Sequence, residues 1–370
     1  MPLKFVFGPS GSGKSTYLYQ HVIEESEKYP LKNFIVLVPE QFTMQTQKDL
    51  VSMHPRHGIM NIDVLSFARL AYRVFEETGT KQMQVLDDEG KNLILRKIAG
   101  DYENKLTVLK GNIKKLGYIS EVKSVISEFT QYDIGEEEID EMLDHLDEDS
   151  RLYYKLKDIR LLYEGFQDYL RERYITKEEL LDVLNSQVKE SELLKNSVVV
   201  LDGFTGFTPV QNRLILELMR CCKEVWVTVT MDERENPYAY KHPYQLFGLS
   251  KQMVTTLVRM AGEDHIEVEE PVCLYGYPVK RFEKNQELAF LERNIFRYGS
   301  GRYDKAVENL EIHAAGNPRQ EADAVAEGIR RLVRKEQYRY RDIGVIVSDM
   351  NVYGDYLEQA FENYGIPVFM

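Results

Sequence analysis

Phe7-Gly8-Pro9-Ser10-Gly11-Ser12-Gly13-Lys14-Ser15-Thr16 satisfies G-x-x-x-x-G-K-[ST] in full and follows directly on an apolar run, Leu3 to Phe7. The chemistry explains the spelling. Gly8, Gly11 and Gly13 let the backbone turn tightly and bring its N–H groups against phosphate oxygens. Lys14 then reaches the β- and γ-phosphates, and the Ser15 hydroxyl is placed to ligate Mg²⁺. Such a loop needs a buried strand before it and a helix after it, so that phosphates sit on a helix N-terminus. Leu3–Phe7 and Thr16–Lys28 supply both. The expected ligand is therefore ATP or another nucleoside triphosphate with Mg²⁺, held by Gly8, Pro9, Ser10, Gly11, Ser12, Gly13, Lys14, Ser15 and Thr16.

Outward from the loop, strand and helix signals alternate. Asn33 to Pro39 is a continuous apolar run closed by proline, as a buried parallel strand reads. Glu40-Gln41-Phe42-Thr43 follows at its carboxyl end, where ligands bind in α/β sheets. Met60 to Leu65 reads as a weaker strand, and Ser66 caps a helix carrying Phe67, Leu70, Ala71, Val74 and Phe75. From about Asp87 to Glu192 only helical periodicity is present, including Thr176 and Glu179 as a capping box for a helix over Lys177 to Leu184. Ser197 to Leu201 is a buried strand ending in Asp202, a carboxylate that either serves Mg²⁺ together with Ser15 or caps the next turn. Thr208, Pro209 and Gln211 then open a helix, and Glu224 to Thr230 is another strand. A further helix is read around Tyr244 to Ala261, and one more over Asn285–Phe296. Past Gly299-Ser300-Gly301, the spelling predicts strands at Leu310–Ala315 and Ile343–Val347 and helices at Glu321–Arg334 and Val352–Tyr364.

The expected class is α/β: a P-loop, RecA-like parallel-sheet domain (1–85 plus 195–298) with an all-helical insertion (86–194), then part of a second RecA-like domain (305–370). The last residues, Ile366 to Met370, lie in an apolar run, so a truncated piece of a longer protein is expected. The 370 residues include no run of 18 apolar positions, which argues against a membrane partner, and Cys221, Cys222 and Cys273 form no C-x-x-C pattern. A cytoplasmic location is expected. Net charge is −13, but Asp133 to Asp149 holds ten acidic residues and no basic one, so the remainder of the chain carries only −3. A local basic groove is compatible with that balance.

Phe5-Val6-Phe7-Gly8-Pro9-Ser10-Gly11-Ser12-Gly13-Lys14-Ser15, Val38-Pro39-Glu40-Gln41-Phe42-Thr43, Leu65-Ser66-Phe67-Ala68-Arg69-Leu70-Ala71, Leu201-Asp202-Gly203-Phe204-Thr205 and Tyr364-Gly365-Ile366-Pro367-Val368-Phe369 occur in this order. In that order the chain resembles the UvrD-like superfamily-1 helicases, and among them the AddB (RexB) family of AddAB helicase–nucleases. The resemblance implies a role in DNA double-strand break repair, an AddA-type motor partner, binding of single-stranded DNA and a contribution to Chi recognition. It also implies a C-terminal nuclease with an iron–sulfur cluster, whose parts are absent from this sequence. Gln41 and Thr43 either contact single-stranded DNA, as the resemblance implies, or cap the following helix. Phe67 and Arg69 either stack on a base and hold a phosphate, or serve the core and surface of an ordinary helix.

Departures from an active helicase set the expected mechanism. Where such enzymes carry Asp-Glu, this chain has Asp202-Gly203, and glycine has no group to orient attacking water. Asp63 and Leu65 stand where Thr and His contact DNA, and Glu235 aligns with a γ-phosphate-sensing Gln. The reading is a nucleotide-binding, helicase-like subunit without its own motor activity and with no catalytic residue assigned. An active ATP-dependent translocase is the alternative, and a P-loop small-molecule kinase a third.

Overall fold

The computed structural model describes residues 2–79, 84–112, 115–171, 174–297, 299 and 301–368. Ser300 of the expected linker, and Phe369 and Met370 of the apolar ending, lie outside the described residues. The strands are β1 (Leu3–Gly8), β2 (Asn33–Leu37), β3 (Ile62–Leu65), β4 (Gln84–Val85), β5 (Tyr174–Ile175), β6 (Ser197–Leu201), β7 (Glu224–Thr230) and β8 (Val272–Cys273). Six of them form one parallel sheet in the order β3-β2-β6-β7-β1-β8. The period of two within each apolar run explains the layering. Phe5, Phe7, Ile35, Leu37, Val199, Leu201, Val225 and Val227 belong to one core. Val6, Phe34, Val36, Val198, Val200 and Trp226 belong to the other. A sheet buried on both faces needs helices on both. On one side stand α1 (Lys14–Lys28) and α2 (Thr43–Met53), through Leu18, Val22, Ile23 and Leu50. On the other, α3 (Phe67–Thr78) contributes Leu70, Ala71 and Val74.

The helical block follows: α4 (Asp88–Asp101), α5 (Leu116–Gln131), α6 (Glu136–Asp144) and α7 (Arg151–Leu170). It has its own core, with Leu95, Ile98, Val122, Ile126, Ile139, Leu162 and Phe166 at its centre. The chain enters and leaves this block through β4 and β5, which pair in parallel, Val85 opposite Ile175. The Thr176–Glu179 capping box forms, but it closes a turn ahead of α8 (Leu180–Gln187) instead of lying on a helix from Lys177. Leu180 and Leu184 of α8, and Leu194 of α9 (Glu192–Lys195), pack on the sheet and not on the helical block.

Back at the sheet, α10 (Pro209–Cys221) has the predicted Thr208–Gln211 box and Pro209 at its first turn. α11 (Gly248–Glu263) starts four residues after the predicted Tyr244, because Phe247 takes a left-handed conformation, φ 60°, that interrupts helix growth. Likewise β3 starts at Ile62 and not at Met60, whose side chain is fully exposed and gains nothing from the sheet. α12 (Gln286–Asn294) matches the expected helix within its ends.

By packing, the chain divides into two units, Met1–Ala289 and Phe290–Met370. In the second, α13 (Pro318–Lys335) and α14 (Met350–Tyr364) close a small core of Ala322, Ala326, Ile329, Leu357, Ala360 and Phe361. The strands predicted at Leu310–Ala315 and Ile343–Val347 do not form. A strand exists only with a hydrogen-bonded neighbour, and Ile312 and Ile346 are exposed instead of paired.

One buried charge tests how the helical block is held. Asp158 on α7 accepts the backbone N–H groups of Thr107 at 2.9 Å and of Val108 and Leu109 at 2.8 Å. Asp158→Ala leaves these donors unmatched and should lower stability by about 3 kcal/mol, with Asp158→Asn losing less. Urea unfolding followed by circular dichroism measures both, and an alanine variant as stable as the wild type would refute the assignment.

Candidate functional site

All strands of the large sheet are parallel, so their carboxyl ends share one edge, and the P-loop leaves β1 at that edge. Gly11 and Gly13 hold φ values of 84° and 93°, a left-handed region closed to most side chains. α1 begins immediately at Lys14. The Lys14 ammonium turns back into the loop and donates to the carbonyls of Gly8 and Pro9, both at 2.9 Å. Burial lowers its pKa to about 8, with Asp202 opposing that shift and Arg281 adding to it.

Beside the loop lies Asp202, only 5 % exposed at the end of β6. Its Oδ1 accepts from Ser15 Oγ at 3.1 Å and from Thr228 Oγ1 at 2.6 Å. Its Oδ2 accepts from the Tyr19 hydroxyl at 2.6 Å. Tyr19 and Thr46 Oγ1 are 3.3 Å apart. The single phenolic hydrogen goes to Asp202, so Thr46 is the donor in that second contact. Burial, and then the charge of Asp202, push the Tyr19 pKa up and keep the phenol protonated. Gly203, φ 80°, follows with no side chain.

A cleft of about 500 Å³ opens here, lined by Ser10, Gly11, Gly13, Lys14, Ser15, Thr16, Asp202 and Gly203 together with Lys280 and Arg281. The last two arrive from the segment after β8. The Arg281 main-chain N–H donates to the Gly11 carbonyl at 3.0 Å. Its side chain lies so close over Gly11 that a Cβ there would meet Arg281 Cβ at 2.7 Å, while Lys280 flanks Gly13. Three cations around a glycine-rich loop at a helix N-terminus suit a chain of phosphates.

The structure thus gathers Gly8 to Thr16 and Asp202, and adds four residues that sequence reasoning missed. Tyr19 lies four residues after Ser15 and so on the same helix face, a signal that was available. Thr228 meets Asp202 only because Leu201 pairs with Val227 in the sheet register. Lys280 and Arg281 carry no local signal at all. The suggested DNA-contacting residues follow strands of the same sheet, but they differ in exposure. Gln41 and Arg69 are at least partly exposed. Thr43 is buried and donates to the Glu40 carbonyl at 3.0 Å, and Phe67 is buried with its ring 5.4 Å from Phe204. Glu235 is tied to the buried Lys251 at 2.6 Å.

The profile of the family described as "ADDB, N-terminal" matches residues 5–292. The chain belongs to the AddB N-terminal family. A protein of Lachnoclostridium phytofermentans, named as the B-type subunit of an ATP-dependent helicase/deoxyribonuclease, is 44% identical over 377 residues, which is 100% of this chain and 32% of that protein. Proteins of the same name from Clostridium kluyveri and Caldanaerobacter subterraneus subsp. tengcongensis are 34% and 35% identical, with the same coverage of each. The chain therefore spans about a third of the length of these AddB relatives. Among the described residues, no helix is long and apolar enough to cross a membrane.

The Lys14 environment sets a pH dependence for phosphate ligands. The ammonium is charged below about pH 8 and loses its proton above it. Affinity should therefore be level on the acid side and fall on the alkaline side. Calorimetric titration with ATP should show binding about tenfold weaker at roughly pH 9 than at roughly pH 7. Equal affinity at both would show that Lys14 stays charged or makes no contact.

Proposed function

We propose that this AddB-family chain is the helicase-like, nucleotide-binding part of a subunit of a DNA double-strand break repair helicase–nuclease, and that it holds ATP at the P-loop without hydrolysing it. The observation that carries the reading is the pair Asp202-Gly203. A phosphate cradle with Lys14 is present beside it, which favours binding. The position next to the carboxylate, where water would be oriented for attack, has only a hydrogen atom. Loss of a general base costs on the order of 10²–10⁴ in rate.

The names of the relatives support membership of a helicase–deoxyribonuclease of more than one subunit, and an AddA-type helicase–nuclease is the partner we propose. Single-stranded DNA is the proposed ligand of the sheet edge near Gln41, Thr43, Phe67 and Arg69, as part of Chi recognition. Gln41 and Arg69, both exposed, would touch it directly. Thr43 and Phe67 would act by shaping the surface from below, Phe67 through its packing on Phe204. Nuclease and iron–sulfur chemistry would belong to the part of the full-length subunit outside this chain, and the setting to the cytoplasm.

The test is phosphate release by the full complex with the P-loop lysine of the AddA-type subunit replaced. ATP should bind, Lys14→Ala should abolish that binding, and single-stranded DNA should elicit no hydrolysis. DNA-stimulated hydrolysis that disappears with Lys14→Ala would replace this reading by an active translocase.

A further inference from the structure

We propose that the P-loop cleft takes its nucleotide without a divalent cation, the phosphate charge being met by Lys14, Lys280 and Arg281. This rests on the nucleotide reading above and specifies the charge partner that the site uses.

The first ground is the donor set around Asp202. A carboxylate offers about four lone-pair sites. Three are filled by hydroxyl hydrogens, from Tyr19 on Oδ2 and from Ser15 and Thr228 on Oδ1. The group is almost wholly buried. Mg²⁺ demands a near-octahedral shell at about 2.0–2.1 Å and keeps several waters. A carboxylate that orients such a shell needs an accessible lone pair for the metal or for one of its waters. Tyr19 takes one of the two lone pairs on Oδ2, which leaves a single site of the carboxylate for a metal-bound water, and Thr46 pins Tyr19 from behind. Swinging the phenol away would leave a buried hydroxyl without its acceptor, which the fold resists.

The second ground is the balance of charge. Among the described residues, Asp202 is the one acidic side chain lining the cleft, facing Lys14, Lys280 and Arg281. At the neighbouring position, Gly203 offers no second carboxylate. A cleft that receives a metal–nucleotide complex gains from carboxylates directed at the metal. This one is built the other way, with cations on both sides of the loop. Arg281 is fixed over Gly11 by its own main-chain bond, and Lys280 stands beside Gly13. A guanidinium and two ammonium groups supply directed donors to phosphate oxygens that a metal would otherwise neutralise.

The experiment is ATP calorimetry on the full complex, with the P-loop lysine of the AddA-type subunit replaced, in excess Mg²⁺ and in excess EDTA. The two affinities should agree within about twofold. Arg281→Ala should weaken binding in EDTA about tenfold, the loss of one charge-assisted partner. Tyr19→Phe frees an oxygen of Asp202 and should raise the ratio of Mg²⁺ to EDTA affinity above that of the wild type. Wild-type binding more than about tenfold weaker in EDTA overturns the proposal while leaving the nucleotide reading intact. Absence of Lys14-dependent binding in both buffers overturns both.

Discussion

A carboxylate walled in at the end of a central strand has to be satisfied where it stands, because an unpaired buried charge costs more than any neighbouring contact returns. Asp202 meets that demand with hydroxyls from two elements that flank β6 in space, α1 and β7. Ser15 and Tyr19 lie one turn apart on α1, so two bonds fix the rotation of that helix about its axis. Fixing α1 fixes Lys14, and with it the fold of the loop around the ammonium. Thr46 passes the same constraint to α2 through Tyr19. The packing of one face of the sheet and the geometry of the phosphate loop are therefore set by a single group.

The helical block leaves this arrangement undisturbed because it is closed on itself. Its core shares none of its buried residues with the sheet, and β4 and β5 join its entry and exit into one short ladder. Lys91 of α4, buried, pairs with Glu178 at 2.7 Å next to that ladder, which ties the first helix of the excursion to its end. Arg213 of α10 bonds both Asp133 and Asp182, linking the helix over the sheet to the acidic edge of the block and to α8. An acidic run such as Asp133 to Asp149 reads as a solvated face, and in part it is one. Arg160, however, gathers Glu136, Asp140 and Glu164, so part of that charge is neutralised within the block.

What the sequence makes legible follows from how far each signal reaches. Strands with both faces buried announce themselves as apolar runs, and β1, β2, β6 and β7 are readable for that reason. Caps are local as well, so Ser66, Thr176 and Thr208 can be picked out together with the bonds they make. The phosphate loop is a local motif with a chemical rationale at every position. Strand pairing is not local. Nothing near Thr228 says that it will stand beside Asp202, and nothing near Lys280 says that the segment after β8 folds back onto Gly13. The second unit departs from its spelling for the converse reason. Leu310–Ala315 and Ile343–Val347 look like strands, but a strand is a property of a pair, and spelling does not say whether two such runs will meet.

A phosphate loop beside Asp202-Gly203 has thermodynamic leverage whether or not its ligand is turned over. Any ligand that binds the folded unit and not the unfolded chain stabilises it by mass action, about 2.7 kcal/mol at a concentration about one hundredfold above its Kd. Here the leverage falls on particular elements. A phosphate chain in the cleft would touch the loop after β1, the start of α1 and the Lys280–Arg281 segment, which joins the sheet region through the two-residue β8 and a main-chain bond to Gly11. With so short a strand to hold it, that segment would be reinforced by a bridging anion. Turnover would undo such a bridge at each cycle. If the site binds without turnover, as proposed above, the cradle would keep that bridge in place and hold the loop, α1 and the Lys280–Arg281 segment together.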